Sequence, residues 1–189
     1  MITIIPENEL QQGTEEWLDF RSTRISGTDA YSLLKGKSIS DILYSKQHSS
    51  FTGNFYTERG HALEEVAKDI YSEARRKVTN AGAIINDKYS NAMYSPDGLI
   101  GDKGLVECKA FNSERHFKNY QKIEPQIMAQ IQFGLFLSER NYCDLILFNP
   151  DLDDPKDMML IKRIKPDKEV FDQFKHLLTG DSFLTKIEV

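Results

Sequence analysis

Ser95-Pro-Asp97-Gly-Leu99, followed by Gly104-Leu-Val-Glu107-Cys-Lys109-Ala-Phe111, is the stretch on which the reading of this chain turns. The second segment is apolar apart from two charges and opens on glycine, as a buried strand does. Side chains alternate across a strand, so Glu107 and Lys109 share a face, and a turn after Pro96 can bring Asp97 beside them. Two carboxylates and an ammonium then converge on one point. Charges in so apolar a run need a partner or a metal. Magnesium takes carboxylate oxygens and keeps several waters, so Asp97 and Glu107 could hold it with positions left for a phosphate oxygen and an attacking water. Lys109 would orient or deprotonate that water, or offset charge in the transition state. The plain alternative is an ordinary Glu107–Lys109 ion pair on a half-exposed strand.

Working outward, AGAIIND, NAMYSPDG, YCDLILFNPD and MMLIKRI are further short runs rich in β-branched or aromatic residues and bounded by Asn, Asp, Gly or Pro, and are expected as strands. The region from Gly13 to Leu34 reads as two helical pieces around the Ser26-Gly27-Thr28 break, with Thr28 as the expected N-cap of the second and Ser38 or Ser40 capping DILYSKQ. Residues 48–58 read as a loop. Leu63, Val66, Ala67, Ile70 and Ala74 recur at helical spacing and predict an amphipathic helix over 60–76, and further helices are expected over 125–139 and 168–178. Helices and strands in this order imply an α/β (α+β) fold, a central mixed β-sheet flanked by helices, within one domain spanning 1–189.

Three other elements carry candidate chemistry. On the helix over 60–76, Glu64 falls at the edge of the apolar stripe and Glu65 on the solvated side, so Glu64 is the acid placed to assist a metal site; a surface pair with Lys68 at i+4 is the bland reading. On the helix over 125–139, Gln130 sits among Ile127, Gly134 and Leu137, and such an amide needs a hydrogen-bond partner. Arg21 with the hydroxyls of Ser26 and Thr28 at a helix start makes a competent anion pocket. Residues 111–122 interleave Phe111, Phe117 and Tyr120 with Arg115, Lys118 and Lys122, a composition suited to unstacked bases and phosphates, or to a solvated loop.

Bulk properties narrow the class. A chain of 189 residues with 40% hydrophobic and 28% charged residues suits a soluble globular protein, and no run approaches the roughly 18 apolar residues of a membrane span. The N-terminal sequence lacks a basic, then apolar, secretory pattern, so a cytoplasmic location is expected. Cys108 and Cys143 read as buried strand thiols, and His48, His61, His116 and His176 lack metal-ligand spacing, each reading as a surface or satisfied histidine. A net charge of −5 disfavours a protein that coats nucleic acid, though basic residues can still line one groove.

Pro96-Asp97 with Glu107-x-Lys109 matches the PD-(D/E)xK signature, and SPDGL, ECK and MAQIQ in that order resemble the core of the lambda exonuclease / YqaJ viral recombinase family, over about three quarters of the chain from Gly13 to Pro150. The resemblance implies a restriction-endonuclease-like core and a double-stranded DNA exonuclease running 5′ to 3′ from 5′-phosphorylated ends. It implies Mg2+ as cofactor, with Mn2+ able to substitute and two ions per active site, held by Asp97, Glu107, the backbone carbonyl of Cys108 and Glu64, the last through water. By resemblance Gly60 and Glu64 match the family's G-x-x-x-E, and Gln130 is the active-site glutamine. Trp17 and Arg21 match the W-x-x-x-R whose arginine grips the terminal phosphate with the following turn, where Ser26-Gly27-Thr28 replaces the family's usual Thr-Ala-Ser. Arg115 and Lys118 are the expected further DNA contacts. Partners so implied are a single-strand annealing protein and a homotrimeric ring around DNA. A RecB-like nuclease of other strand preference and a catalytically silent DNA-end-binding module stay open as alternatives.

Overall fold

Gly104–Ala110 (β4) is the strand from which the computed structural model is best understood, and residues 1–48 and 55–180 are the ones described. β4 pairs antiparallel with Gly98–Ile100 (β3) and parallel with Tyr142–Phe148 (β5), which pairs antiparallel with Met159–Ile164 (β6) after the short helix Pro155–Met158 (α7). The result is a four-stranded mixed sheet in the order β3-β4-β5-β6, flanked by helices as the sequence predicts. A parallel pair needs a long crossover; here Ser113–Gln121 (α5) and Pro125–Ser138 (α6) provide it. Ile2–Ile5 (β1) and Ala83–Asn86 (β2) form a separate antiparallel pair.

Both faces of the sheet are covered. Leu105, Leu145 and Leu147 point into the larger core with α6 and with Lys168–Thr179 (α8), while Val106, Cys108 and Ile146 pack against Ala67 and Tyr71 of Phe55–Ala74 (α4). α6 buries Ile127, Ile131, Phe133, Leu135 and Leu137 on several sides at once, which explains why it is apolar nearly all round. Beneath α4, Asp144 of β5 accepts from the Tyr71 hydroxyl at 2.6 Å and takes a bidentate pair from Arg163 at 2.7 Å. Cys108 and Cys143 are buried free thiols.

Several local expectations are corrected. NAMYSPDG is not a continuous strand, and only its Gly98 enters β3: Pro96 has no N–H, and the backbone before it divides its bonds, Met93 N–H donating to Ile25 O and Tyr94 N–H to Ile84 O. Residues 113–121 are a helix capped by Asn112, not a loop. The expected loop over 48–58 is helical from Phe55, and 49–54 lie outside the described residues. Ser26, not Thr28, precedes the short 3-10 turn Gly27–Asp29 that leads into Ala30–Leu34 (α2), because Thr28 lies inside that turn. Ser38 does cap Ile39–Gln47 (α3), its hydroxyl accepting from Asp41 N–H. His116 is neither at the surface nor fully satisfied: it is buried, Nε2 donates to Asp157 O at 2.8 Å, and Nδ1 has no partner among the described residues. No helix among the described residues is long and apolar enough to cross a membrane.

Candidate active site

The chain turn before β3 sets Asp97 next to the free flank of β4, beyond the last β3–β4 pair at Gly98 and Val106. There Asp97 Oδ2 accepts the Cys108 N–H at 2.7 Å. In an extended strand the carbonyl of a residue points to the same side as its N–H, so the Cys108 carbonyl faces Asp97 too. The loop bearing Asp97 is braced from the N-terminal region. Gln12 Nε2 donates to Pro96 O at 3.0 Å and to Ala81 O at 3.2 Å, and the Trp17 indole of Glu15–Ser22 (α1) donates to Ser95 Oγ at 3.0 Å.

Glu107 and Lys109 lie on one face, as strand alternation requires, and Lys109 Nζ is 2.8 Å from Glu107 Oε1 and 3.9 Å from Glu64 Oε1 of α4. Gln130 of α6 donates to the same Glu107 Oε1, and the Tyr94 hydroxyl donates to Oε2 at 2.7 Å. Glu107 is wholly buried, while Lys109 and Glu64 keep about a fifth of their side chains open to the cleft. Lys68, the expected partner of Glu64, pairs instead with Glu65 at 2.7 Å. The polar partner that Gln130 needs is therefore Glu107.

Among the described residues, the carboxylates of Asp97, Glu107 and Glu64 gather about one ammonium, that of Lys109. Burial, and then the charge of Glu107, push the Asp97 carboxyl up to about 8. Burial works against the Lys109 ammonium, but Glu107, Asp97 and Glu64 outweigh it and hold its pKa above the usual lysine value. A cluster that retains a proton and borrows a lysine as counter-ion has the donor set of a hard divalent cation: carboxylate oxygens of Asp97 and Glu107, the Cys108 carbonyl, and Glu64 at greater distance. Among the described residues no group of three His, Cys, Asp or Glu side chains is placed to hold a metal ion.

Asp97, Lys109, Glu64 and Gln130 line a cavity of about 630 Å3, and Arg21, Ser26 and Thr28 line the same cavity. Arg21 donates to Thr28 Oγ1 at 2.7 Å and lies 5.5 Å from the Trp17 ring centre. The Ser26 hydroxyl is committed to Asp29 Oδ2 at 2.6 Å, and Lys46 of α3 ties both together, donating to Asp29 at 2.7 Å and to Ser26 Oγ at 3.1 Å. Thr28 is exposed and Ser26 buried, so the two hydroxyls do not present equally to the cleft. Arg115 and Lys118 do not line it; they pair with Glu124 and Glu114 on the surface.

Sequence reasoning overlooked Tyr94 and Lys46. Tyr94 stands three residues before Asp97 and reads as one more strand aromatic, and Lys46 as a helix-surface lysine; only the tertiary fold joins them to the site.

A model of the YqaJ-like viral recombinase domain matches residues 16–141. Among solved structures, the chain is similar to an alkaline exonuclease (LHK-Exo) from Laribacter hongkongensis, at 25% identity and TM-score 0.74, and to LHK-Exo in complex with dAMP, at 24% identity and TM-score 0.78, each over 88% of this chain and 90% of that one. A phage related exonuclease from Haemophilus somnus 129PT shares the fold at 15% identity and TM-score 0.59, over 86% of this chain and 93% of that one. No protein of curated function matches in sequence.

Proposed function

The chain belongs to the YqaJ-like viral recombinase family and is a nuclease, and from that premise we propose that it is a magnesium-dependent 5′-to-3′ exonuclease on duplex DNA with 5′-phosphorylated ends. The observation that carries this reading is that Arg21 and Thr28 share one cavity with Asp97, Glu64 and Lys109. An anion grip and a hydrolytic centre in one cavity of that size suit a substrate cut close to its phosphorylated end, with 5′-mononucleotides released and a 3′ single strand left behind.

Asp97, Glu107 and the Cys108 carbonyl would hold the metal, with Glu64 reaching it through water. Bound magnesium, as a pair of ions and with manganese as a substitute, would neutralise phosphate charge and acidify water. Lys109 is placed to position the attacking water or to offset charge as the bond from phosphorus to the 3′ oxygen breaks. Its Nζ lies 2.8 Å from Oε1 of Glu107, one of the carboxylates that would hold the metal. Gln130 holds the Glu107 carboxylate from above, and Arg21 with Thr28 takes the terminal phosphate. A 3′ single strand is the substrate an annealing protein would take, and a ring-shaped homotrimer is the assembly the family resemblance suggests; pull-down with such a protein and sedimentation test those two points.

The deciding experiment is digestion of a 5′-phosphorylated duplex with and without magnesium, by the native chain and by Asp97→Ala and Glu107→Ala. Chelation and either substitution should lower cleavage by several orders of magnitude while DNA-end binding persists. Undiminished cleavage in either variant refutes the metal site, and loss of nucleotides from 3′ ends refutes the polarity.

A further inference from the structure

Tyr94 is wedged into a slot made by two glycines. A Cβ on Gly134 would stand 2.4 Å from Tyr94 Cζ, and one on Gly27 would stand 3.0 Å from Tyr94 Cδ2 and 3.1 Å from Gln130 Cγ. Gly134 lies in the middle of α6, where alanine has the higher helix propensity, so its missing side chain answers to the ring and not to the helix. The ring is 1% exposed and its hydroxyl donates to Glu107 Oε2 at 2.7 Å. Gln130 and Lys109 both act on the other oxygen, Oε1.

From this geometry we infer that Tyr94 is a positioning residue for Glu107: it fixes Oε2 as a permanent acceptor and so presents Oε1 alone for exchange between Lys109 and a divalent cation. The inference rests on the metal-site reading of Glu107 given above. A buried carboxylate with only one oxygen tied could rotate about its last bond and offer either oxygen, or both, to Lys109. With Oε2 held by a phenol wedged between Gly134 of α6 and Gly27 of the 3-10 turn, the remaining oxygen keeps one direction. Outer partners of metal ligands commonly change affinity or activity by about 10–100-fold when removed, and this one is unusually constrained. Because the ring also abuts Gly27, which begins the turn bearing Thr28, the same side chain fixes the spacing between the anion grip and Glu107.

The test is Tyr94→Phe, which keeps the ring and deletes the donor. Mn2+ affinity is measured by calorimetry on the DNA-free protein, together with the magnesium concentration for half-maximal cleavage and the melting temperature. Tyr94→Phe should weaken Mn2+ binding at least tenfold and raise the magnesium requirement similarly, with binding of a 5′-phosphorylated end unchanged. Gly134→Ala is the second variant: it retains every polar group, crowds the ring from α6, and should shift the metal requirement in the same direction even if Tyr94→Phe does not fold. A lower melting temperature with native metal affinity would overturn the inference and leave Tyr94 a packing residue. If the native chain neither binds Mn2+ nor cuts DNA, it is the metal-site reading that fails.

Discussion

Raising the pH should destabilise the metal-free protein and strengthen its hold on metal, and both effects trace to Asp97. Its carboxyl titrates at about 8 in the folded chain against 3.8 ordinarily, because it is buried beside Glu107, with Glu64 adding charge and Lys109 and the Cys108 N–H only partly offsetting it. Between those two values the folded state holds a proton that the unfolded chain has released. Stability from this group is therefore complete below about pH 4 and is lost as pH rises towards 8. A rise from 3.8 to about 8 sets a ceiling of about 6 kcal/mol. Asp97 opens partly onto the cleft, where solvent screens it, so a loss of about 2–3 kcal/mol is the working expectation. At this chain length that is roughly 4–12 °C in melting temperature.

Bound divalent metal reverses the sign, since it requires the carboxylate ionised and must displace the proton. Its apparent affinity should rise up to tenfold per pH unit until about 8 and level off above. The assay is thermal melting from pH 5 to 9 in chelator and in magnesium, with Asp97→Asn as the reference that lacks the titrating group. If the chelated native protein and Asp97→Asn share the same pH dependence, or the magnesium requirement is constant from pH 6 to 8, the account of Asp97 is wrong.

Lys109→Ala should cut at least a hundredfold more slowly; it should also melt lower in chelator, with magnesium restoring more stability than it adds to the native chain, and normal cleavage would leave Lys109 a mere counter-ion. For Arg21→Ala, the native preference for 5′-phosphate over 5′-hydroxyl ends, about one to two decades from a charge-assisted contact of roughly 1.5–3 kcal/mol, should largely vanish in competition digests while the magnesium requirement stays put. Asp144→Asn removes the shared acceptor of Tyr71 and Arg163; because Arg163 is 40% exposed and can turn to water, a loss of about 1–3 kcal/mol in denaturant titration is expected, with the cleavage rate at low temperature unaffected.

The parts of this molecule legible from sequence are those that a period or a fixed spacing encodes. Glu107 and Lys109 meet because every second residue of a strand faces one way, and Asp97 joins them through a turn that Pro96 announces. α4, α6 and α8 showed in their apolar spacing. α5 did not, because the buried positions it supplies include His116 and Asn119, so its inner face has no apolar stripe to recognise. Residues 91–97 have strand composition, yet Pro96 and the divided bonds of Met93 and Tyr94 leave isolated bridges there. Tyr94 and Lys46 were illegible for a different cause: each acts across a distance in the chain, onto Glu107 and onto Asp29, that no local pattern records.

The parallel pairing of β4 with β5 has a consequence for the order in which the protein comes into being. Glu107 is carried on a strand whose long edge is closed by Tyr142–Phe148, and it is clasped by Gln130 from the crossover in between. A nascent chain that has emerged only as far as Lys109 carries all three charged residues of the signature without the sheet that aligns them. Non-local pairing of this kind forms late, since the intervening loop must close first. Cleavage competence should thus arrive abruptly during synthesis, once β5 has left the ribosome, and fragments ending before it should be inert towards DNA.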